Sequence, residues 1–195
     1  MAYIELLAED QAGDAGDLFD ADRALRGYLP NYTRAFAHRP DVYRAWRALL
    51  RAVTANMDER RYELATVAAA RRLRSSYCML AHGKVLADEF LTDGEVEALA
   101  RTGLSDSLDD AERAVMDLAD KVAADAASVT REDVERLRAH GLSDAEIVDV
   151  VLAAALRCFY SKTLDGLGVE PDAAYLGLPP SLRDALTVGR PIESA

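Results

Sequence analysis

The sequence predicts an all-α fold, and three observations support this prediction. Half of the 195 residues are apolar, many of them alanines, which suit close helix packing better than sheet packing. Serine, threonine or aspartate repeatedly stands before an apolar run with helical spacing, as helix N-caps do. No segment shows the alternation of apolar and polar residues that is typical of a half-buried strand.

The capping and breaking residues place the helices along the chain. Residues 1–20 are acidic and glycine-dotted, and we expect an irregular arm or a short helix there. Prolines and glycines then separate the helical patterns. The predicted helices span about residues 21–28, 40–56, 59–73, 76–89, 92–100, 107–122, 130–141, 147–164 and 181–186. We therefore divide the chain into an arm (1–20), a helical domain (21–174) and a C-terminal tail (175–195).

Two stretches of this pattern resemble each other at an offset of 85 residues. The alanines at 68–70 then lie over those at 153–155. Two pseudo-repeated helical halves, packed about a pseudo-twofold axis, would explain the match. A shared alanine-rich composition would explain it equally well, so both explanations stay open.

Charge and composition exclude several classes of function. The net charge of −11 argues against binding to nucleic acid through phosphates. No apolar run approaches the ~20 residues of a membrane span, and the acidic N-terminus does not resemble a signal peptide. Two cysteines, at 78 and 158, do not make a disulfide framework. We therefore expect a cytoplasmic protein that binds neither nucleic acid nor membrane.

The segment from Glu63 to His82 carries the residues with the most evident chemistry. Its first helix ends at a run of arginines, and a second helix begins at Ser75 or Ser76, both good N-cap residues. Cys78 then lies in the first turn, where the positive end of the helix dipole favours a thiolate. His82 follows four residues later on the same face. The segment thus combines a nucleophile, a base and an activating field.

This pattern resembles the signature of the AhpD-like alkylhydroperoxidases, which belong to the carboxymuconolactone decarboxylase superfamily. That signature has a glutamate, a C-x-x-C twelve residues on, and a histidine four residues after the second cysteine. Glu63, Cys78 and His82 match it, whereas Ser75 replaces the first cysteine. The flanking stretches LPNYTRAFAHRPDVYRAW and VTREDVERLRAHGLSDAEIVDVVLAAALRCFYSKTLDGLGVEPD are similar to the peroxidase-related branch, so the likeness covers roughly residues 25–172.

The resemblance implies an AhpD-like multi-helix bundle, a homo-oligomer and chemistry without a cofactor. By resemblance, Cys78 attacks a hydroperoxide while His82 and Glu63 relay a proton. Because Ser75 is not a thiol, an external thiol or Cys158 would have to complete the cycle. The expected partners are therefore a small-molecule hydroperoxide and a thiol reductant.

Each of these residues also has a purely structural interpretation. Cys78 would be a small buried hydrophobe, and His82 a helix histidine bonded to the backbone. Ser75 is favoured as an N-cap, and Tyr77 lines a pocket or donates a hydrogen bond. Glu63 would pair with a nearby arginine. The candidates for that arginine are Arg60, Arg61, Arg71, Arg72 and Arg74.

The remaining cysteine and histidines carry weaker signals. Cys158 lies in an apolar run and is expected in the core; it could resolve Cys78 only if their Cα atoms came within about 7 Å. His38 and His140 have no carboxylate or cysteine at ligand spacing, so no metal site is predicted.

Two other functions remain open from the sequence. In the first, Glu63 and His82 transfer protons on a small organic acid, as in a lyase or isomerase of the decarboxylase kind. In the second, the protein is a non-catalytic redox-sensing oligomer in which Cys78 is oxidised without turnover.

Overall fold

The computed structural model describes residues 2–194, which form ten α-helices without a β-strand in that range. The all-α prediction is therefore confirmed. In chain order the helices are α1 (Gly16–Arg26), α2 (Asn31–Phe36), α3 (Pro40–Thr54), α4 (Glu59–Leu73), α5 (Ser76–Glu89), α6 (Asp93–Thr102), α7 (Asp110–Asp125), α8 (Arg131–Ala139), α9 (Asp144–Gly166) and α10 (Pro180–Leu186). None of these helices has the length and hydropathy needed to cross a bilayer.

The structure differs from the expectations near the N-terminus. Helix α1 begins at Gly16, inside the stretch expected to be an irregular arm or a short helix, and ends before Gly27, whose φ is 80°. The sequence pattern does not predict α2, because six residues are too few to show a helical period. That helix forms after Pro30 and buries Thr33 and Phe36. Its stability therefore comes from packing rather than from local signals.

Helix α4 lies at the centre of the bundle. Every residue from 62 to 70 is buried, and the helix packs against α5, α7 and α9. Alanines at 65 and 68–70 let these neighbours approach closely. Glu63 belongs to this stretch and is only 6% exposed. A carboxylate in such a place needs a partner inside the bundle.

The C-terminal tail covers the junction between α4 and α5. Arg74 has a left-handed φ of 56° and ends α4. The backbone N–H of Gly189 donates to Ser76 Oγ at 2.7 Å. A Cβ at residue 189 would lie 2.0 Å from the carbonyl oxygen of Arg74, so only glycine fits here without a shift. The tail therefore closes over the start of the helix that carries Cys78.

Candidate active site

Cys78 and His82 line one cavity of about 270 Å³. Cys78 is the third residue of α5, within the first turn as the sequence predicts, and its side chain is 1% exposed. His82 is partly exposed one turn later. Both residues therefore line the same open cavity, and a small molecule bound there would lie near the thiol and the imidazole together.

Glu63 and His82 form a hydrogen-bonded pair across α4 and α5. The distance from His82 Nδ1 to Glu63 Oε2 is 2.6 Å. Because an ionised carboxylate only accepts hydrogen bonds, Nδ1 carries the proton and Nε2 is left with a free lone pair. Burial lowers the pKa of His82, and the positive charge of Arg157 lowers it further. The Glu63 carboxylate raises this pKa but by less, so the pKa of His82 lies below its ordinary value. His82 is therefore a neutral imidazole near pH 7 and can accept a proton.

The arginines considered as partners for Glu63 form other contacts. Arg60 donates to Glu112 at 2.5 Å, Arg61 to Glu146 at 2.7 Å, and Arg72 to Asp120 at 2.5 Å. Arg71 donates to the carbonyl oxygen of Ala100 and Arg74 to that of Val188. The structure therefore places Glu63 with the histidine, and the ion-pair interpretation of this residue is wrong.

The Cys78 sulfur is held by two side chains of α9. Arg157 Nη1 lies 3.4 Å from Sγ, and the Ser161 hydroxyl lies 3.1 Å from it. Arg157 is 2% exposed, and its Nη2 donates to the Tyr62 hydroxyl at 3.1 Å. Burial alone would lower the pKa of Arg157, but Cys78 and Tyr62 outweigh burial and raise it above its ordinary value. A full positive charge therefore lies next to the thiol.

Sequence reasoning missed both Arg157 and Ser161. The available signal was an arginine within the apolar run VVLAAALRCFY, because an arginine in a buried helix needs an acidic or hydrogen-bonding partner. The spacing within α9 also puts Arg157 and Ser161 on one face, at i and i+4. Neither feature could indicate that the partner is Cys78, 79 residues earlier.

Ser75 and Tyr77 precede Cys78 in the sequence, and the hydrogen bonds of its sulfur within residues 2–194 come from two side chains of α9 instead. Ser75 occupies the N-cap position of α5 as expected, yet its hydroxyl makes no capping hydrogen bond. Tyr77 both lines the cavity and donates a hydrogen bond, so the two interpretations hold together. Its hydroxyl donates to the buried Asp172 at 2.5 Å. Burial raises the pKa of Asp172 despite the hydrogen bonds that it accepts. The Tyr77 hydroxyl is therefore engaged behind the cavity.

Cys158 is a free thiol that lies away from the cavity lining. It is partly buried and packs against the core. Burial raises its pKa, with Lys162 and Arg157 opposing. Within residues 2–194, no group of three or more histidine, cysteine or acidic side chains is arranged to hold a metal ion.

Aromatic and cationic side chains make up most of the remaining wall. Among the described residues, the aromatic members of the lining are Tyr32, Tyr43, Trp46, Tyr62, Tyr77, Tyr160 and Tyr175. The charged members are Arg26, Arg47, Arg51, Arg157 and Asp22. The cavity lining therefore consists largely of aromatic rings and carries a net positive charge. The chain as a whole, by contrast, has a net charge of −11.

Solved structures and a family model identify relatives of this fold. Residues 40–121 match the model of the carboxymuconolactone decarboxylase family. A peroxidase-related protein from Ralstonia eutropha JMP134, named as an alkylhydroperoxidase AhpD core, is 24% identical with a TM-score of 0.81, covering 89% of this chain and 94% of that one. A peroxidase-related protein from Silicibacter sp. TM1040 is 22% identical with a TM-score of 0.81, covering 90% and 94%.

The debrominase Bmp8 has the same architecture. It is 18% identical with a TM-score of 0.77, and the similarity covers 95% of this chain and all of Bmp8. No curated protein sequence matches the chain. At these identities the solved structures establish the fold, while the family model covers the segment that contains Glu63, Cys78 and His82. Residues 40–121 therefore resemble the carboxymuconolactone decarboxylase family, and the chain has the AhpD-like all-α fold.

Proposed function

We propose that this protein is a thiol-dependent oxidoreductase that reduces hydroperoxides through Cys78. The observation that carries this proposal is the cation on the sulfur: Arg157 Nη1 lies 3.4 Å from Cys78 Sγ inside the bundle. Burying a guanidinium is unfavourable because it loses its hydration, and contact with a neutral thiol offsets little of that free energy. Attraction to a thiolate offsets much more of it, and the thiolate is the form that attacks peroxides. The neutral imidazole of His82 stands on the same helix face to take the thiol proton.

The reaction that follows from this arrangement is balanced without a cofactor. His82 Nε2 takes the proton of Cys78, and the thiolate attacks the terminal oxygen of the hydroperoxide. An S–O bond forms, the O–O bond breaks, and the leaving alkoxide takes the proton back from His82. Cys78 becomes a sulfenic acid and an alcohol is released. Glu63 orients the imidazole and stabilises its transient positive charge, as the carboxylate of a catalytic triad does.

A low-molecular-weight thiol completes the cycle in this proposal. The first thiol molecule condenses with the sulfenic acid, releasing water and forming a mixed disulfide. A second thiol molecule attacks that disulfide and restores the thiol of Cys78. The reductant must be small, because the Cys78 side chain is 1% exposed and is reached only through the cavity. Cys158 lies outside the lining and is not assigned a role.

The assembly and location expected from the sequence belong to this proposal too. An apolar groove between α3 and α9 presents Leu49, Leu152 and Phe159, which are about half exposed. Such a groove favours burial against another subunit, in keeping with the expected homo-oligomer. A free thiol as the reactive group favours a reducing compartment, in keeping with the expected cytoplasmic location.

The test is hydroperoxide consumption with cumene hydroperoxide and a small thiol such as dithiothreitol. We expect Cys78→Ser to abolish enzymatic consumption, while Cys158→Ser serves as the matched control and keeps the wild-type rate. Circular dichroism would establish that both variants are folded. An unchanged rate in Cys78→Ser would show that the proposed mechanism is wrong.

A second candidate is proton transfer on a small cyclic acid, as in a lyase or isomerase of the decarboxylase kind. The observation that favours it is the neutral His82, which has a free Nε2 in a cavity lined by arginines. The similar Bmp8 has been solved, as a cysteine-to-alanine variant, with 2,3,4-tribromopyrrole, a small ring. Activity that survives Cys78→Ser but is lost in His82→Ala would identify this chemistry instead.

A further inference from the structure

We propose that the cavity recognises an aromatic compound that carries a carboxylate, with the ring between the aromatic walls and the carboxylate at two arginines of the rim. As an assignment of substrate class this rests on the proposed function, because it names which hydroperoxides would reach Cys78. As an assignment of a binding site it stands on the geometry of the lining alone.

The walls are built to contact a flat ring. Trp46 and Tyr160 stack with their ring centroids 4.3 Å apart and their planes 24° apart. Tyr32 meets Tyr160 and Tyr77 edge-on, at 5.9 Å and 5.6 Å. Aromatic rings favour such stacked and edge-to-face contacts with a further ring. A volume of about 270 Å³ lies at the small end of ligand pockets, which suits one ring.

Two buried donors in the lining lack a partner. Trp46 Nε1 and Arg157 Nε are buried, and neither has a hydrogen-bond acceptor in the described part of the chain. Buried polar groups are normally paired, so these two atoms are unsatisfied within the protein alone. Both residues line the cavity. Because neither atom has accessible surface, a ligand would reach them only if the cavity wall shifted.

The net positive charge of the cavity lining favours an anionic ligand. Its one acidic residue, Asp22, is already engaged. That carboxylate accepts hydrogen bonds from Thr33 Oγ1 at 2.6 Å, Tyr43 Oη at 2.8 Å and Arg47 Nη1 at 3.2 Å. Arg26 and Arg51 remain exposed in the lining, and neither forms an ion pair with a carboxylate among residues 2–194. A cleft lined by one sign of charge concentrates ligands of the opposite sign.

Together these features give a ligand with two distinct parts. A neutral ring would leave the charges of Arg26 and Arg51 without an anionic partner, although Arg26 hydrogen-bonds Tyr32. An aliphatic acid would make no ring contacts with the aromatic walls. The rim arginines come from the end of α1 and from α3, whereas Cys78 lies on the buried wall formed by α5. The carboxylate at the rim would therefore direct the other end of the molecule toward the sulfur.

Trp46 makes the test direct, because it is the only tryptophan in the chain and it lines the cavity. The probe is benzoate, added to reduced protein while the intrinsic tryptophan fluorescence is followed. Benzamide, which is neutral, and cyclohexanecarboxylate, which is not aromatic, serve as matched ligands. We expect saturable binding of benzoate, with each matched ligand bound about tenfold more weakly. Raising the salt concentration should weaken only the binding of the two anions.

Variants at the rim separate specific from general charge effects. An exposed ion pair contributes a factor of about two to five in affinity, so the double variant Arg26→Gln/Arg51→Gln should bind benzoate about 4- to 25-fold more weakly. Arg131→Gln, an exposed arginine on α8, is the matched control and should bind as the wild type does. Equal affinity for benzoate and benzamide, or an unchanged double variant, would overturn the proposal.

The experiment also distinguishes failure of this proposal from failure of the proposed function. Benzoate should bind Cys78→Ser as it binds the wild type, because binding requires no thiolate. Binding without any hydroperoxide turnover would refute the peroxidase and leave the binding site standing. Turnover of cumene hydroperoxide without benzoate binding would refute the binding site and leave the peroxidase standing.

Discussion

Replacing Arg157 by methionine removes the positive charge that lies against the Cys78 sulfur. The two groups are 3.4 Å apart and nearly fully buried. Two unit charges at 4 Å interact by about 4 kcal/mol at an effective dielectric constant of about 20. Measured charge-assisted hydrogen bonds contribute less, about 1.5–3 kcal/mol. Because the Ser161 hydroxyl and the α5 N-terminus remain, we expect the stabilisation of a negatively charged Cys78 sulfur to fall by about 2–3 kcal/mol, a factor of roughly 30 to 150.

The assay is alkylation by iodoacetamide near pH 7, followed by mass spectrometry of the peptide that contains Cys78. A Cys158→Ser background removes the second thiol. Arg157→Met should slow alkylation, though by less than the factor given above, because a less stabilised thiolate is also more nucleophilic. Arg157→Lys keeps the charge without the planar fork and should recover part of the rate. Ser161→Ala removes only a neutral donor and should cost a few-fold.

The fold should survive this change. Removing one partner of a buried ion pair is destabilising because the other charge is left unpaired, but the Cys78 sulfur can take up a proton and avoid this cost. We therefore expect Arg157→Met to keep its helical content and its thermal unfolding midpoint within a few degrees. A folded Arg157→Met protein that is alkylated as fast as the wild type would refute the role of this charge.

Three further predictions concern Glu63, His82 and Ser75. Glu63→Gln keeps an acceptor for His82 but removes its charge, so kcat/KM for hydroperoxide should fall by about 100-fold; a rate within twofold of the wild type would exclude the relay. The lowered pKa of His82 means that the unfolded chain binds the proton more readily. Stability from this group is therefore complete above about pH 6.5 and declines below it, a decline that urea titrations of His82→Gln should lack. Ser75→Cys loses no capping hydrogen bond, because the Ser75 hydroxyl makes none. Peroxide treatment should then form a disulfide between the new thiol and Cys78, and three free thiols after treatment would contradict this.

The helix boundaries were predictable where they depend on local hydrogen bonds. Thr92, Asp109, Thr130 and Ser143 each form the capping box at the start of a helix, in which donor and acceptor lie three residues apart. Such a contact can be read from a short window of sequence. Helix α2 could not be predicted in this way, because it forms by burying its side chains against distant parts of the chain.

The candidate site likewise contains residues that local sequence could predict and residues that it could not. Glu63, Cys78 and His82 lie within twenty consecutive residues, and helical spacing alone puts the last two on one face. Arg157 and Ser161 reach the sulfur from 79 and 83 residues away. Their contact depends on how α9 is rotated against α5, which no local rule specifies. Whether the chain contains two pseudo-repeated halves, or only two stretches of similar alanine-rich composition, remains open.

The contacts from α9 also bear on how such a protein can diverge. The family match ends at residue 121, and α9 begins at Asp144, so the cation beside the thiol lies outside the matched segment. If Cys78 reacts as proposed, one or two substitutions on α9 would remove the contacts that activate its sulfur without altering the glutamate, cysteine or histidine. Relatives that share those three residues can therefore differ in chemistry, and the residues at 157 and 161 are where such differences should be sought.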